Sequence, residues 1–154
     1  MIIEKIISGG QSGADFAGLL FGKKAGIPTG GWAPKNWLTL DGPKPSLKDY
    51  GLIESSGGYS HRTGLNVRDS DGTVRFAENF FSAGEICTKK YIDVYKKLYL
   101  DISVSNPIKH AVFLKWLEDN KIKVLNVAGN SEQTVPGIGN FVLDYLANAF
   151  SVSL

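Results

Sequence analysis

The sequence predicts an α/β domain with a mostly parallel sheet covered on both faces by helices. Two observations predict it. Strand-like runs alternate with helical patterns along the whole chain, the mark of successive βαβ units. Glycines cluster where those runs end, at Ser8–Gly13, Gly30-Gly31 and Gly129. Glycine makes up about 12% of the chain (18 of 154 residues), against a usual value of about 7%. The length of 154 residues suits one domain, residues 1–154.

The elements follow in order. Ile2–Ile7 reads as a buried strand. A helix follows, with Phe16, Leu19, Leu20 and Ala25 on one face and Gly26-Ile27-Pro28 as its stop. Thr29–Trp32 is a second strand. Residues 33–57 are irregular and rich in proline and glycine, with a short extended run at Gly51–Glu54. A stretch of that length predicts a functional flap or binding loop. Residues 59–69 predict a helix and Thr73–Ala77 a strand. Glu85–Lys97 is a helix and Leu98–Ile102 a strand. Asn106-Pro107 predicts the next helix start, with asparagine as cap and proline at the first helical position. Ile122–Val127 is the next strand, and a final helix runs from about Gly137 to Asn148.

Charge and cysteine usage exclude several classes. Net charge is +2 with no basic tail, so nucleic acid is an unlikely partner. Cys87 stands alone, which rules out an intramolecular disulfide and a multi-cysteine metal site. It is expected to be buried. No apolar run reaches membrane-spanning length. Met1–Lys5 carries no long apolar leader core, and the expected compartment is the cytoplasm.

Four motifs carry chemistry. In Ser8-Gly9-Gly10-Gln11-Ser12-Gly13-Ala14-Asp15 a strand passes through glycines into a helix. Backbone amides at such a junction make an anion site, and Gln11 and Ser12 add donors. Gly10 is expected to allow close backbone approach to a phosphate. The spacing Gly9-Gly10-x-x-Gly13 is not the dinucleotide fingerprint, and no Gly-Lys-Ser/Thr of a P-loop follows. The second motif is Gly30-Gly31-Trp32-Ala33-Pro34-Lys35. Trp32 could stack on a planar ligand and Lys35 could neutralise an anion; a core tryptophan and a solvated lysine are the plainer reading. In the third, Arg62 and Asn66 lie one helical turn apart and are expected to point at a shared ligand, Arg62 with a fork suited to phosphate. The following Asp69-Ser70-Asp71-Gly72 is not a calcium loop, because Phe80 stands where an EF-hand needs its glutamate. The fourth is Asn126-Val127-Ala128-Gly129, a glycine-bearing loop after a strand.

Together these motifs resemble the family named "putative molybdenum carrier", over about Ile6 to Tyr145. The matching pieces are Ser8–Asp15; Ile27–Trp32 with Pro34 and Lys35; Tyr59, Arg62, Thr63, Asn66 and Val67 with Asp69–Thr73; and Asn126–Gly129 with Pro136-Gly137-Ile138. The resemblance implies a Rossmann-like three-layer α/β/α sandwich, similar in fold to the lysine-decarboxylase-like, cytokinin-activating superfamily. It implies a pocket at the carboxyl edge of the sheet holding a phosphate-bearing nucleotide or pterin, the molybdenum cofactor among them, with no protein-ligated metal. The residues it implies include Thr63, Asp71, Ser82, Gly84, Asn126 and Gly129 beside those of the first three motifs. The family pattern is altered at Phe16, where an arginine is usual, at Ala33 for a cysteine, at Phe81–Gly84 for a Gly-Gly-Thr stretch, and at Asn130-Ser131 for an arginine.

A cytosolic binding or carrier protein is the leading expectation, its partner a small phosphate-bearing molecule and its one expected assembly a homo-oligomer. The alternatives are a phosphoribohydrolase that splits the N-glycosidic bond of a nucleoside monophosphate, with Glu85 as its carboxylate, or a degenerate ligand sensor.

Overall fold

Residues 2–154 are described by the computed structural model; Met1 lies outside them. Six strands form one sheet: β1 (Lys5–Ile7), β2 (Thr29–Ala33), β5 (Leu52–Glu54), β6 (Gly72–Ala77), β7 (Leu98–Ser103) and β8 (Val124–Gly129). Their order is β5-β2-β1-β8-β6-β7, and every pairing is parallel. The chain walks outward from β1 to β2 and β5. It then crosses to β6 and β7, and β8 returns to fill the slot between β1 and β6. The direction of progression therefore reverses at the centre of the sheet, where α/β folds place their ligands beyond the carboxyl ends of the strands.

Five α-helices cover the sheet among the described residues: α1 (Ala14–Ala25), α2 (Tyr59–Asp69), α3 (Ala83–Tyr95), α4 (His110–Asp119) and α5 (Ile138–Ala149). α1 and α4 pack on α5, while α2 packs on α3. The two groups form the outer layers of a three-layer sandwich. All six residues of β6 are buried, as a strand covered on both faces requires. Ile6, Phe21, Phe76, Phe113, Leu125, Val127 and Leu146 anchor the main core.

The segment after β2 is more ordered than its composition suggests. It holds 3₁₀ turns at Lys35–Trp37 and Pro45–Tyr50, and a small antiparallel hairpin of β3 (Leu38–Thr39) and β4 (Gly42–Pro43). Leu47 is fully buried with Leu19, Ala33 and Leu52, and Trp37 packs against them. Most of this segment is therefore held by its own small core, and only the hairpin turn reaches the carboxyl edge.

Three boundaries differ from expectation. β1 begins at Lys5, because pairing with β8 starts at Val124. β8 itself begins at Val124, since the Ile122 amide closes α4 on Leu117 O. α4 begins at His110, three residues beyond Pro107. Asn106 N donates to Ser103 Oγ at 3.3 Å, Ser105 N donates to Glu78, and Tyr145 Oη donates to Ile108 O at 2.9 Å. These bonds hold the chain in an extended turn until Lys109.

Candidate functional site

A cavity of about 490 Å³ opens at the carboxyl edge of β1, β8 and β6, between α2 and the start of α3. Its volume is that of a pocket for a nucleotide-sized molecule. The loop from β1 into α1 forms one wall. Ser8 is buried and ties that loop down: its Oγ donates to Asp15 O at 2.8 Å and accepts from Gly10 N at 3.2 Å. Asp15, in the first turn of α1, is thereby fixed in the cavity wall.

Arg62 enters from the first turns of α2. Its Nη1 lies 3.2 Å from Asp15 Oδ2, and a Cβ on Gly9 would collide with the guanidinium. Gly9 is thus bare because Arg62 lies on it. Burial pushes the Asp15 carboxyl up to about 6, more than the Arg62 charge and the Gln11 hydrogen bond pull it down.

Glu85 occupies the first turn of α3 and is 3% exposed. Its Oε1 is buried and finds no hydrogen-bond partner among the described residues. Burial, followed by the charge of Asp15, raises its carboxyl to about 7. Arg75 does not neutralise it. That guanidinium forks onto Asp101 through two bonds of 2.7 Å, and its Nη1 donates to the Glu85 backbone carbonyl at 3.0 Å.

Of the residues expected at a site, Gly9, Gln11, Asp15, Arg62, Thr63, Asn66, Ser82, Gly84, Glu85, Asn126 and Gly129 line this cavity. The others do not. Gly10 turns away at φ +78°, and a Cβ there would sit 2.6 Å from Leu47 Cδ1, so packing and backbone shape require this glycine. Gly13 (φ +91°) lies against the backbone of Asn130 and Glu132. Ser12 Oγ donates outward to Gln133 Oε1 at 3.0 Å. Trp32 donates its indole N–H to Asp69 Oδ2 at 2.8 Å and is outside the cavity wall. Lys35 is exposed to solvent. Asp71 is at the opposite edge of the sheet, where Oδ2 accepts the amides of Lys123 and Val124 at 2.9 and 2.8 Å and starts β8. Asn66 is in the wall, but its amide clamps the Trp32 backbone through Oδ1 (2.9 Å) and Nδ2 (3.0 Å). It positions α2 on β2 and has little left for a ligand.

Sequence reasoning missed several wall residues. Cys87 is half-buried and lines the cavity, with Sγ 3.6 Å from Ser60 Oγ. α3 turns it toward α2 rather than into the core. Thr88 follows Glu85 on the same helix face, a spacing that could have flagged it. Asn130 is the organiser of the rim: Oδ1 accepts the amides of Glu78 and Asn79, and Nδ2 donates to Asn79 O at 3.0 Å. Leu40, at the hairpin turn, also reaches the wall, its amide donating to Gln11 Oε1 at 3.0 Å.

The order of strands, the two helix layers and the position of the cavity define a Rossmann-like α/β fold. The family described as "Circularly permutated YpsA SLOG family" matches residues 6–150. The chain belongs to that family. It is also similar to a solved structure, described as "Putative molybdenum carrier protein" from Syntrophus aciditrophicus SB, at 40% identity and a TM-score of 0.86. The match covers 94% of this chain and 93% of that one. No curated protein matches the chain.

Proposed function

We propose that the chain is a binding or carrier protein for a small phosphate-bearing ligand of nucleotide or pterin type. The observation that carries this reading is the Arg62 guanidinium, buried at the cavity wall and lying directly on the bare Gly9 backbone. An arginine fork beside an unobstructed main chain suits a phosphate. The name of the relative from Syntrophus aciditrophicus supports a carrier role, and the molybdenum cofactor is a phosphate-bearing pterin of the proposed class. No group of three or more His, Cys, Asp or Glu side chains is placed to hold a metal ion among the described residues. Molybdenum would enter this cavity as cargo on its organic ligand. The test is titration of the purified protein with nucleoside monophosphates and pterin monophosphates, read by calorimetry and native mass spectrometry. Binding in the micromolar range, weakened at least tenfold in Arg62→Ala, supports the reading. No binding of any of them defeats it.

A second reading is favoured by Glu85. A buried carboxyl held near 7 is suited to general acid work, as a phosphoribohydrolase would need at the glycosidic bond. Base release from nucleoside monophosphates by the wild type, abolished in Glu85→Gln, would establish it. Absence of base release at high protein concentration would remove it.

A further inference from the structure

The cavity wall has an imbalance of charge that the phosphate reading does not use. Its ionisable side chains that carry full charge are two carboxyls, Asp15 and Glu85, and one guanidinium, Arg62. Arg62 is engaged by Asp15. The nearby Arg75 is spent on Asp101 and on a backbone carbonyl. Glu85 is left with Oε1 buried, without a partner and facing the cavity. An unpaired buried acceptor is costly, and native structures retain one where something else completes it.

We infer that the ligand completes it: the cavity takes a ring that presents two adjacent N–H donors, as in the 2-amino-4-oxopyrimidine ring common to guanine and pterins, with one of those N–H groups donating to Glu85 Oε1. The inference rests on the proposed binding function and adds the identity of the ring edge. Adenine offers an acceptor nitrogen beside its amino group, which sets lone pair against lone pair. Hypoxanthine keeps the ring N–H and lacks the amino group. A site that must satisfy a buried polar atom discriminates strongly against a ligand that leaves it unpaired. The phosphate remains on the Arg62 and Gly9 side of the cavity, away from the carboxylate that would repel it. Glu85 therefore sets ring specificity while Arg62 supplies general affinity.

The test compares GMP, IMP, AMP and a pterin monophosphate on the wild-type chain, on Glu85→Ala and on the isosteric Glu85→Gln, with thermal denaturation to establish that each variant is folded. GMP, the pterin monophosphate or both should bind at least tenfold more tightly than IMP and AMP. Which of the two binds more tightly separates a guanine ligand from a pterin. In both variants that preference should fall below threefold, while binding of IMP changes little. Equal affinity for all four probes on the wild type would overturn the inference and leave the phosphate reading standing. A preference that persists in Glu85→Ala would overturn it as well. If none of the four binds, the binding reading fails and takes the inference with it.

Discussion

Asp15 and Arg62 face each other in the cavity wall, Oδ2 to Nη1 at 3.2 Å, with only 12% and 9% of their side chains exposed. The pair joins the start of α1 to α2 across the carboxyl edge of the sheet. The Asp15 carboxyl nevertheless stands at about 6, above the ordinary 3.8. Burial outweighs the partner, so the pair is a positioned element of a site rather than a simple source of stability.

Removing the guanidinium should therefore cost stability in a pH-dependent way. In Arg62→Ala nothing offsets the burial of the Asp15 charge except the Gln11 hydrogen bond, and its folded-state value climbs further above the unfolded one. A carboxyl raised in this way binds protons more readily folded than unfolded, so stability falls as pH rises through the interval. The expected loss is roughly 3–5 kcal/mol at pH 8 and clearly less at pH 5, where Asp15 is protonated in the variant. Thermal denaturation at the two pH values checks it. An equal loss at both would show that Arg62 acts by packing alone.

The adjacent glycines separate binding from folding. Alanine at Gly9 meets the end of a flexible side chain, and Arg62 can swing aside. Gly9→Ala should stay folded and lose at least tenfold in affinity for a nucleoside monophosphate. Alanine at Gly10 must adopt φ +78° and meets Leu47 in a filled core. Gly10→Ala should lose about 1–3 kcal/mol with little direct effect on the ligand. Urea denaturation and calorimetry on the two variants would show the reverse pattern if the roles were exchanged.

These contrasts mark what the sequence makes legible. The alternation of strands and helices predicts the layers, because burial on both faces dictates the patterns one by one. The cavity lies where glycine loops follow β1 and β8, since parallel strands bring all their carboxyl ends to one edge. Three-dimensional partners were not legible. Asn66 looks free in the sequence until β2 arrives to take its amide. Cys87 looks like a core residue until α2 places Ser60 beside it. The orphaned oxygen of Glu85 depends on Arg75 being claimed by Asp101 on the neighbouring strand, a pairing 26 residues apart that no local pattern carries.

Asp71 supplies a control outside the cavity. Its carboxylate accepts two backbone amides at the start of β8, and its removal leaves those donors without their protein partner. Asp71→Ala should cost about 1–3 kcal/mol and leave ligand affinity unchanged within twofold. Chemical denaturation and calorimetry measure the two effects. A tenfold loss of affinity in a variant of undiminished stability would return Asp71 to the site.

Glu85 makes the sharpest prediction about stability. The Glu85 carboxyl is raised from an ordinary 4.5 to about 7 by burial and by the Asp15 charge. Below pH 4.5 it is protonated in both the folded and unfolded chain and contributes nothing to the pH dependence. Between there and about 7 the unfolded chain releases this proton while the folded chain keeps it, so the group costs stability as pH rises. Above 7 the cost is complete, on the order of 3 kcal/mol. Glu85→Gln removes the titration and keeps the shape. The variant's melting temperature minus that of the wild type should therefore increase from pH 5 to pH 8 by several degrees, in the absence of ligand. Other titrating groups are common to both chains and largely cancel in the difference. A ligand that donates to Oε1 should narrow the gap at pH 8 by stabilising only the wild type. A difference that stays flat across this range would mean that Glu85 is not held in its neutral form at pH 5, and the carboxyl would lose its standing as a group kept at the cavity at the expense of the fold.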